Sequence, residues 1–316
     1  MKVLITGTGF IGSYVTRALL DAGDEVILYG YFENPQALAN IVGDIEKVGR
    51  VKGDVLETEL LVKTMNEHKV EAVVHTAAVL IAGARENPFN AVKVNVLGTA
   101  SVLEAARRSD AKKVVYTSSG NVYTMLNPYV NYTPPADGLV KEEDPTLPGS
   151  VYGTTKLASE HLGLNYSQIY GIDFISLRLP TVYGGWLGTM GLASVIRDMC
   201  RAALKSEPLT VEEYRSEWLH VKDAARASVA AVHTKNPKHR IFNVGTAKIN
   251  SLREARDVIA AELKRPVDQI IIKEVPRPTR YPTDISRART ELGFEPRYDF
   301  KSGVLDVLSW VRTNYV

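Results

Sequence analysis

The sequence predicts an α/β protein: a doubly wound, mostly parallel sheet with a smaller discontinuous domain attached to its C-terminal half. Three observations predict it. Short β-rich runs alternate with longer segments of helical period, the pattern of βαβ units. The short runs are nearly unbroken apolar stretches, as in strands covered on both faces. A glycine-rich turn stands between the first strand and the first helix.

Lys2-Val3-Leu4-Ile5-Thr6 is the first strand, and 14–22 a helix stopped by Gly23. Residues 25–29 form the second strand. Val51 marks a short third one, and 56–68 is helical. The fourth strand is Ala72-Val73-Val74-His75, with a long helix over 90–108 behind it. The fifth is 113–117, followed by a long helix over 151–170. The sixth is 173–179, and Ile241-Phe242-Asn243-Val244 fits a seventh. Two regions break the alternation. Residues 124–149 carry Pro128, Pro134, Pro135, Pro145 and Pro148, and a loop of that length is usually functional or disordered. Beyond Leu179 the pattern turns irregular around Gly184, Gly185 and Gly188, with helix returning over 192–205. The expected division is 1–179 plus about 218–244 for the nucleotide-binding domain, and about 180–217 plus 245–316 for the substrate domain.

Composition narrows the partners. The net charge is +2 in 316 residues, which calls for neither nucleic acid nor an anionic membrane. Cys200 is the single cysteine and cannot form an intrachain disulfide, which favours a reducing, cytoplasmic setting. No signal-peptide pattern opens the sequence, and no apolar run approaches the ~18 residues of a membrane span. The six histidines do not fall at metal-ligand spacing with Cys200 or carboxylates, so no metal is expected.

Gly7-Thr8-Gly9-Phe10-Ile11-Gly12 follows the first strand and opens the first helix. In such a turn one glycine makes the bend, one admits a pyrophosphate, and one lets helix and strand pack closely. The helix N-terminus adds free N–H groups and the positive end of a dipole. A Rossmann-like dinucleotide site is the reading. An acid at the end of the second strand would hold the adenosine ribose, but Gly30 stands there, and Glu33 in the following loop is its substitute. No Arg or Lys follows closely to hold a 2′-phosphate, so NAD is favoured and NADP is left open.

Tyr152-Gly153-Thr154-Thr155-Lys156 begins a helix, so phenol and ammonium share one face. A free phenol is a poor acid-base group at neutral pH, and a nearby ammonium brings it toward the working range. Thr117-Ser118-Ser119 ends the fifth strand, where open α/β sheets present ligand-binding groups. Asn95 lies on the preceding helix, where its amide could hold a water that links Lys156 to solvent.

With these residues assembled, the chain resembles the extended branch of the short-chain dehydrogenase/reductase superfamily, the epimerase/dehydratase-type enzymes. The matching residues are the 7–12 turn, Gly53-Asp54-Val55, His75-Thr76-Ala77-Ala78, Asn95 with Gly98-Thr99, Ser118-Ser119 before Val122-Tyr123, Tyr152 with Lys156, and Arg178-Leu179-Pro180-Thr181-Val182-Tyr183-Gly184. The resemblance implies Tyr152 as general acid/base, Lys156 on the nicotinamide ribose, Ser119 on the substrate oxygen and Asn95 supporting the relay. It implies Asp54 at the adenine amine with Val55 beside it, Ala77 and Ala78 under the cofactor, and Pro180 and Val182 flanking the nicotinamide. Gly7, Gly9, Phe10, Ile11, Gly12 and Glu33 complete the cofactor set. His75 reads as a core histidine.

Departures from the family pattern refine the function. The glycine turn is one residue shorter than the extended branch usually shows. Dehydratases of the family carry an Asp-Glu pair after the serine-equivalent hydroxyl, where this chain has Gly120 and Asn121. Dehydration is therefore disfavoured. Thr181 stands where nucleotide-sugar epimerases usually have Asn. Arg215 lies one position off their phosphate arginine, a place taken by Ser216. Arg277 matches a family phosphate contact, and Arg280 is a second candidate. Thr181, Arg215 and Arg277 are the substrate candidates with Ser119. The expected activity is NAD(P)-dependent hydride transfer at a secondary alcohol of a sugar or nucleotide sugar, as an epimerase. A plain dehydrogenase/reductase and a non-catalytic cofactor sensor are the alternatives. Helices 90–108 and 151–170 resemble the family's four-helix interface and imply a homodimer.

Overall fold

A computed structural model of the chain describes residues 1–315 apart from 44, 128, 134 and 188–190. The proline and glycine expectations at Pro128, Pro134 and Gly188 lie outside the described residues. Five βα steps and a sixth strand build the first part of the chain: β1 (Lys2–Thr6), α1 (Phe10–Asp21), β2 (Glu25–Gly30), α2 (Pro35–Val42), β3 (Gly49–Lys52), α3 (Thr58–His68), β4 (Ala72–His75), α4 (Ile81–Glu86), α5 (Pro88–Val92), α6 (Gly98–Arg107), β5 (Lys113–Ser119), α7 (Val151–Tyr170) and β6 (Asp173–Leu179). The remainder is β7 (Thr181–Tyr183), α8 (Val195–Lys205), β8 (Leu209–Glu212), β9 (Ser216–His220), α9 (Val221–His233), β10 (Ile241–Asn243), β11 (Ile249–Asn250), α10 (Leu252–Leu263), β12 (Ile270–Lys273), α11 (Ser286–Leu292) and α12 (Phe300–Tyr315).

Seven strands form one sheet in the order β10-β6-β5-β4-β1-β2-β3, with every pairing parallel. The sheet is doubly wound, and its seventh strand is the 241–243 run. Alternation of side chains across each strand fills two layers. Val3, Ile5, Val26, Leu28, Val115 and Ile175 meet α1 and α9 on one face. Leu4, Ile27, Tyr29, Val73, Val114 and Phe174 meet α3, α6 and α7 on the other. The order reverses between β1 and β4, so the crevice opens at their C-terminal ends, where such sheets bind ligands.

The helix expected over 14–22 starts earlier, at Phe10, because Ser13 N–H already bonds to Gly9 O at 2.9 Å and closes a first turn over the glycine motif. The helix expected over 90–108 is interrupted by a π turn, Lys93–Leu97, between α5 and α6. Asn95 sits in that turn. Such π turns often occur at functional sites.

The later part contains more regular structure than the sequence pattern reveals. β7, β9 and β11 form a small sheet, and β8 pairs with β12. Along β9, Trp218 enters a second core with Tyr183, Met199, Leu252 and Phe300, while Leu219 enters the main one. α10 carries a full capping box between Ser251 and Glu254, a signal present in the sequence and not read from it. The loop over 124–149 is tied down at Val140, which bridges to Thr283, and at Glu142, whose carboxylate accepts from Asn243 N–H at 2.8 Å.

Candidate active site

Each βα step delivers its loop to the same edge of the sheet. At β1, Gly7 has a φ of +93° and receives Thr76 close above it. A Cβ on Gly7 would come within 2.6 Å of Ala77 N, and one on Gly12 within 2.0 Å of Gly7 O. A Cβ on Gly9 would meet nothing within 4 Å, so the middle of the turn is open from outside. Thr76 Oγ1 locks the arrangement by donating to Thr6 O at 2.8 Å. The turn therefore has the shape that a pyrophosphate needs, with N–H groups of α1 facing it. Phe10 and Ile11 are half-buried on the first turn of α1. Ala77 and Ala78 are half-buried just beyond β4, across the crevice.

On the adenosine side, Asp54 Oδ1 accepts from Leu56 N–H at 2.9 Å, while Oδ2 accepts from the Tyr31 hydroxyl. Val55 is buried against Gly98. Glu33 is exposed. Tyr31 was not anticipated. It follows Gly30, the position left without an acid, and that vacancy was its only sequence signal.

Tyr152 and Lys156, on the first turns of α7, are both buried and come together beneath the end of β5. Ser150 starts the helix there by accepting from Gly153 N–H at 3.1 Å. Lys156 Nζ donates to Thr117 O at 2.7 Å. Ser119 is buried at the last position of β5, and its hydroxyl lies near enough to the phenol to favour the phenolate. Asn121 secures Ser119 by donating twice to its Oγ, from N–H at 3.2 Å and from Nδ2 at 3.0 Å. That leaves the serine hydrogen free to point at the phenol or an incoming oxygen. Asn121 drew notice in the sequence only for not being an acid, and its grip on Ser119 was missed.

Burial pushes the phenol up to about 12, and the Ser119 hydroxyl offsets this in part. Burial also pulls the Lys156 ammonium down to about 7, with Glu160 opposing. Desolvation is the largest cause for both groups. Asn95 Oδ1 accepts from Val79 N–H at 2.7 Å, and its Nδ2 donates to Val79 O at 3.0 Å and Thr155 Oγ1 at 2.9 Å. The amide ties the loop after β4 to α7. His75 is a satisfied core histidine: both ring nitrogens meet hydroxyls, of Thr6 at 2.6 Å and Thr99 at 3.0 Å, and burial lowers it to about 3.

Pro180 and Thr181 are half-buried and Val182 is buried, all at the mouth beside β5. Thr181 Oγ1 lies 2.8 Å from Ser216 Oγ on β9. Arg215 falls outside this set. Neighbouring residues of an extended chain point to opposite sides, so the one-residue offset leaves Arg215 exposed while Tyr214 and Ser216 are buried. Arg277 and Arg280 both lie over the Tyr214 ring, at 5.1 and 4.9 Å from its centroid. Arg277 pairs with Glu212, whereas Arg280 has no carboxylate partner among the described residues. Among the described residues no group of three His, Cys, Asp or Glu is placed to hold a metal, and no helix is long and apolar enough to cross a membrane.

A doubly wound sheet with a glycine turn at its switch point, and a serine, tyrosine and lysine at the end of β5, defines an enzyme of the short-chain dehydrogenase/reductase type. Residues 3–245 match the profile of the NAD dependent epimerase/dehydratase family, and the chain belongs to that family. A putative UDP-glucose 4-epimerase of Methanocaldococcus jannaschii is 32% identical, over 99% of each chain. A dTDP-glucose 4,6-dehydratase of Xanthomonas campestris is 29% identical, over 98% of this chain and 93% of its own. Among solved structures, a Thermus thermophilus UDP-glucose 4-epimerase in complex with NAD superposes with a TM-score of 0.83 at 26% identity, over 100% of both chains. The family's coenzyme is NAD, and the open glycine turn fits it.

Proposed function

We propose that this protein is an NAD-dependent epimerase of a nucleotide sugar. The observation that carries the proposal is the buried Ser119–Tyr152–Lys156 group at the switch-point crevice, followed by Gly120 and Asn121 in place of carboxylates. Elimination of water needs a further acid and base next to the reacting carbon. Asn121 supplies only amide donors there, and these point at Ser119. This favours epimerisation over dehydration, although dehydratases are among the relatives.

NAD, when bound, accepts a hydride from the carbinol carbon and returns it. Gly7, Gly9, Gly12, Phe10 and Ile11 hold its pyrophosphate, Asp54 and Val55 its adenine, and Ala77, Ala78, Pro180 and Val182 its nicotinamide half. Glu33 reaches the adenosine ribose from the loop after β2. Lys156, held at Thr117 O, would reach the nicotinamide ribose with its remaining donors. Tyr152 takes the hydroxyl proton and later restores it, and Ser119 fixes the oxygen between them. Asn95 serves by positioning α7. A neighbouring positive charge favours a phenolate, and the Lys156 ammonium would supply one beside Tyr152. Thr181 faces the sugar, and Arg280 with Arg277 takes the diphosphate, where forked guanidinium donors suit phosphate oxygens. A nucleotide-sugar substrate is supported by the relatives' names.

The nucleotide-binding domain takes residues 1–179 with about 218–244, and the substrate domain the rest. A homodimer through the 88–107 stretch and α7 is supported by the exposure of Phe89, Val92, Leu97, Ile169 and Tyr170. The buried Cys200 thiol is compatible with a reducing cytoplasm.

The test is direct. The purified protein should carry NAD through denaturation and mass spectrometry. It should also interconvert UDP-glucose and UDP-galactose with no net change in absorbance at the reduced-coenzyme band. Stoichiometric build-up of reduced coenzyme with released ketone would identify a dehydrogenase instead.

A further inference from the structure

We propose that Tyr116 is a positioning residue for Lys156: the face of its ring, with the Thr117 carbonyl, fixes the ammonium beside the Tyr152 phenol and supports its charge. Lys156 Nζ lies 4.7 Å from the centroid of the Tyr116 ring and 5.7 Å from that of Tyr152. A buried ammonium is supported by a carboxylate, by oriented carbonyls or by an aromatic face. The nearest carboxylate is Glu160, one turn further along α7, but its oxygens are already engaged by Arg178 at 2.8 and 3.0 Å and by Ser176 at 3.1 Å. His75 on β4 faces Lys156 as a neutral ring, since burial keeps it unprotonated. Tyr152, on the same helix, is a protonated phenol at rest. Thr117 supplies one carbonyl at 2.7 Å. Glu160 also favours the charge through space, and among the described residues the other group lying against the ammonium is the Tyr116 face.

Tyr116 is well held for this task. It is buried on β5 between His75, at 5.6 Å, and Phe174, at 6.2 Å between centroids. Its own hydroxyl finds no well-formed hydrogen-bond partner, so the ring and not the hydroxyl is the working part. The sequence hides this role, because a strand aromatic reads as core.

The importance of the contact for turnover rests on the function proposed above, but its physical test does not. Lysine labelled at the ε-carbon lets the titration of Lys156 be followed by NMR in the coenzyme-free protein. With a desolvated cation–π contact, Tyr116→Leu should lower the midpoint by about one pH unit. Tyr116→Phe should hold it at the wild-type value. An unchanged midpoint in Tyr116→Leu overturns the proposal, as does an equal fall in Tyr116→Phe. Should Tyr116→Leu not fold, phenylalanine carrying one, two or three ring fluorines at position 116 weakens the π face at nearly constant shape. The midpoint should then fall with each fluorine, and a flat series overturns the proposal. Turnover of UDP-glucose by the wild-type protein is scored separately. An inactive protein that shows the expected titrations would remove the epimerase reading and leave the Tyr116 contact standing.

Discussion

The two sides of the crevice are built from different materials. On the coenzyme side the determinants are backbone: the positive φ of Gly7, the contact of Gly12 with Gly7 O, and the seating of Thr76 and Ala77 over the turn. On the proposed substrate side they are side chains: Thr181 with Ser216 across β7 and β9, and two arginines over Tyr214. A backbone requirement leaves a fixed signature in sequence, because glycine alone meets it. A side-chain requirement depends on register, and an offset of one residue exchanges a buried position for an exposed one. Arg215 and Ser216 are that case.

The contrast breaks most sharply where the sides meet. Tyr152→Phe should lower turnover by about two to four orders of magnitude, the usual contribution of a general acid/base. Its NAD affinity, measured by calorimetry, should stay within about threefold. Full turnover in this variant removes the phenol from the mechanism. Next in size is Gly12→Ala. The added methyl would lie 2.0 Å from Gly7 O, so the turn must open. NAD affinity should fall at least tenfold, with an overpacking cost of about 1–3 kcal/mol in stability. Unaltered affinity would show that the turn does not hold the pyrophosphate.

How far the sequence could be read follows the same division. The parallel sheet, the glycine turn and the Ser119, Tyr152 and Lys156 group were all legible, because strand runs and loop motifs recur at the C-terminal ends of β1 and β5. The roles within that group were less so. Spacing puts Tyr152 and Lys156 on one helix face, but it does not show that burial raises the one and lowers the other. Nor does it show that Asn95 is occupied by Val79 and Thr155, because those partners come from a loop and another helix. The small sheets of the later part were missed for a further reason. β11 has two residues and β7 three, too few for a period to show.

Lys156 sharpens the contrast through stability. Its ammonium falls to about 7 in the folded chain, against ~10.4 in an unfolded one. Between those values the unfolded state binds the extra proton, so stability rises with pH across that window. Below it the buried charge costs its full amount, on the order of a few kcal/mol. Lys156→Met in the coenzyme-free protein should therefore raise Tm by several degrees at pH 6, with the gain shrinking toward pH 10. A gain that is flat with pH would place the lysine in a solvated site.

The smallest effects belong to the arginines, and they test register directly. Among the described residues Arg280 has no carboxylate partner and rests on Tyr214, while Arg277 beside it is paired with Glu212. A diphosphate approaching this pair gains more from the cation that has no competing carboxylate. Arg280→Ala should raise KM for a nucleotide sugar about tenfold, the weight of one charge-assisted hydrogen bond, with kcat little changed. Arg215→Ala removes a side chain on the exposed side of the same segment and should move KM by less than about twofold. The reverse ranking would mean that the strand presents its other side to the substrate, and that Thr181 and Ser216 pair away from the sugar.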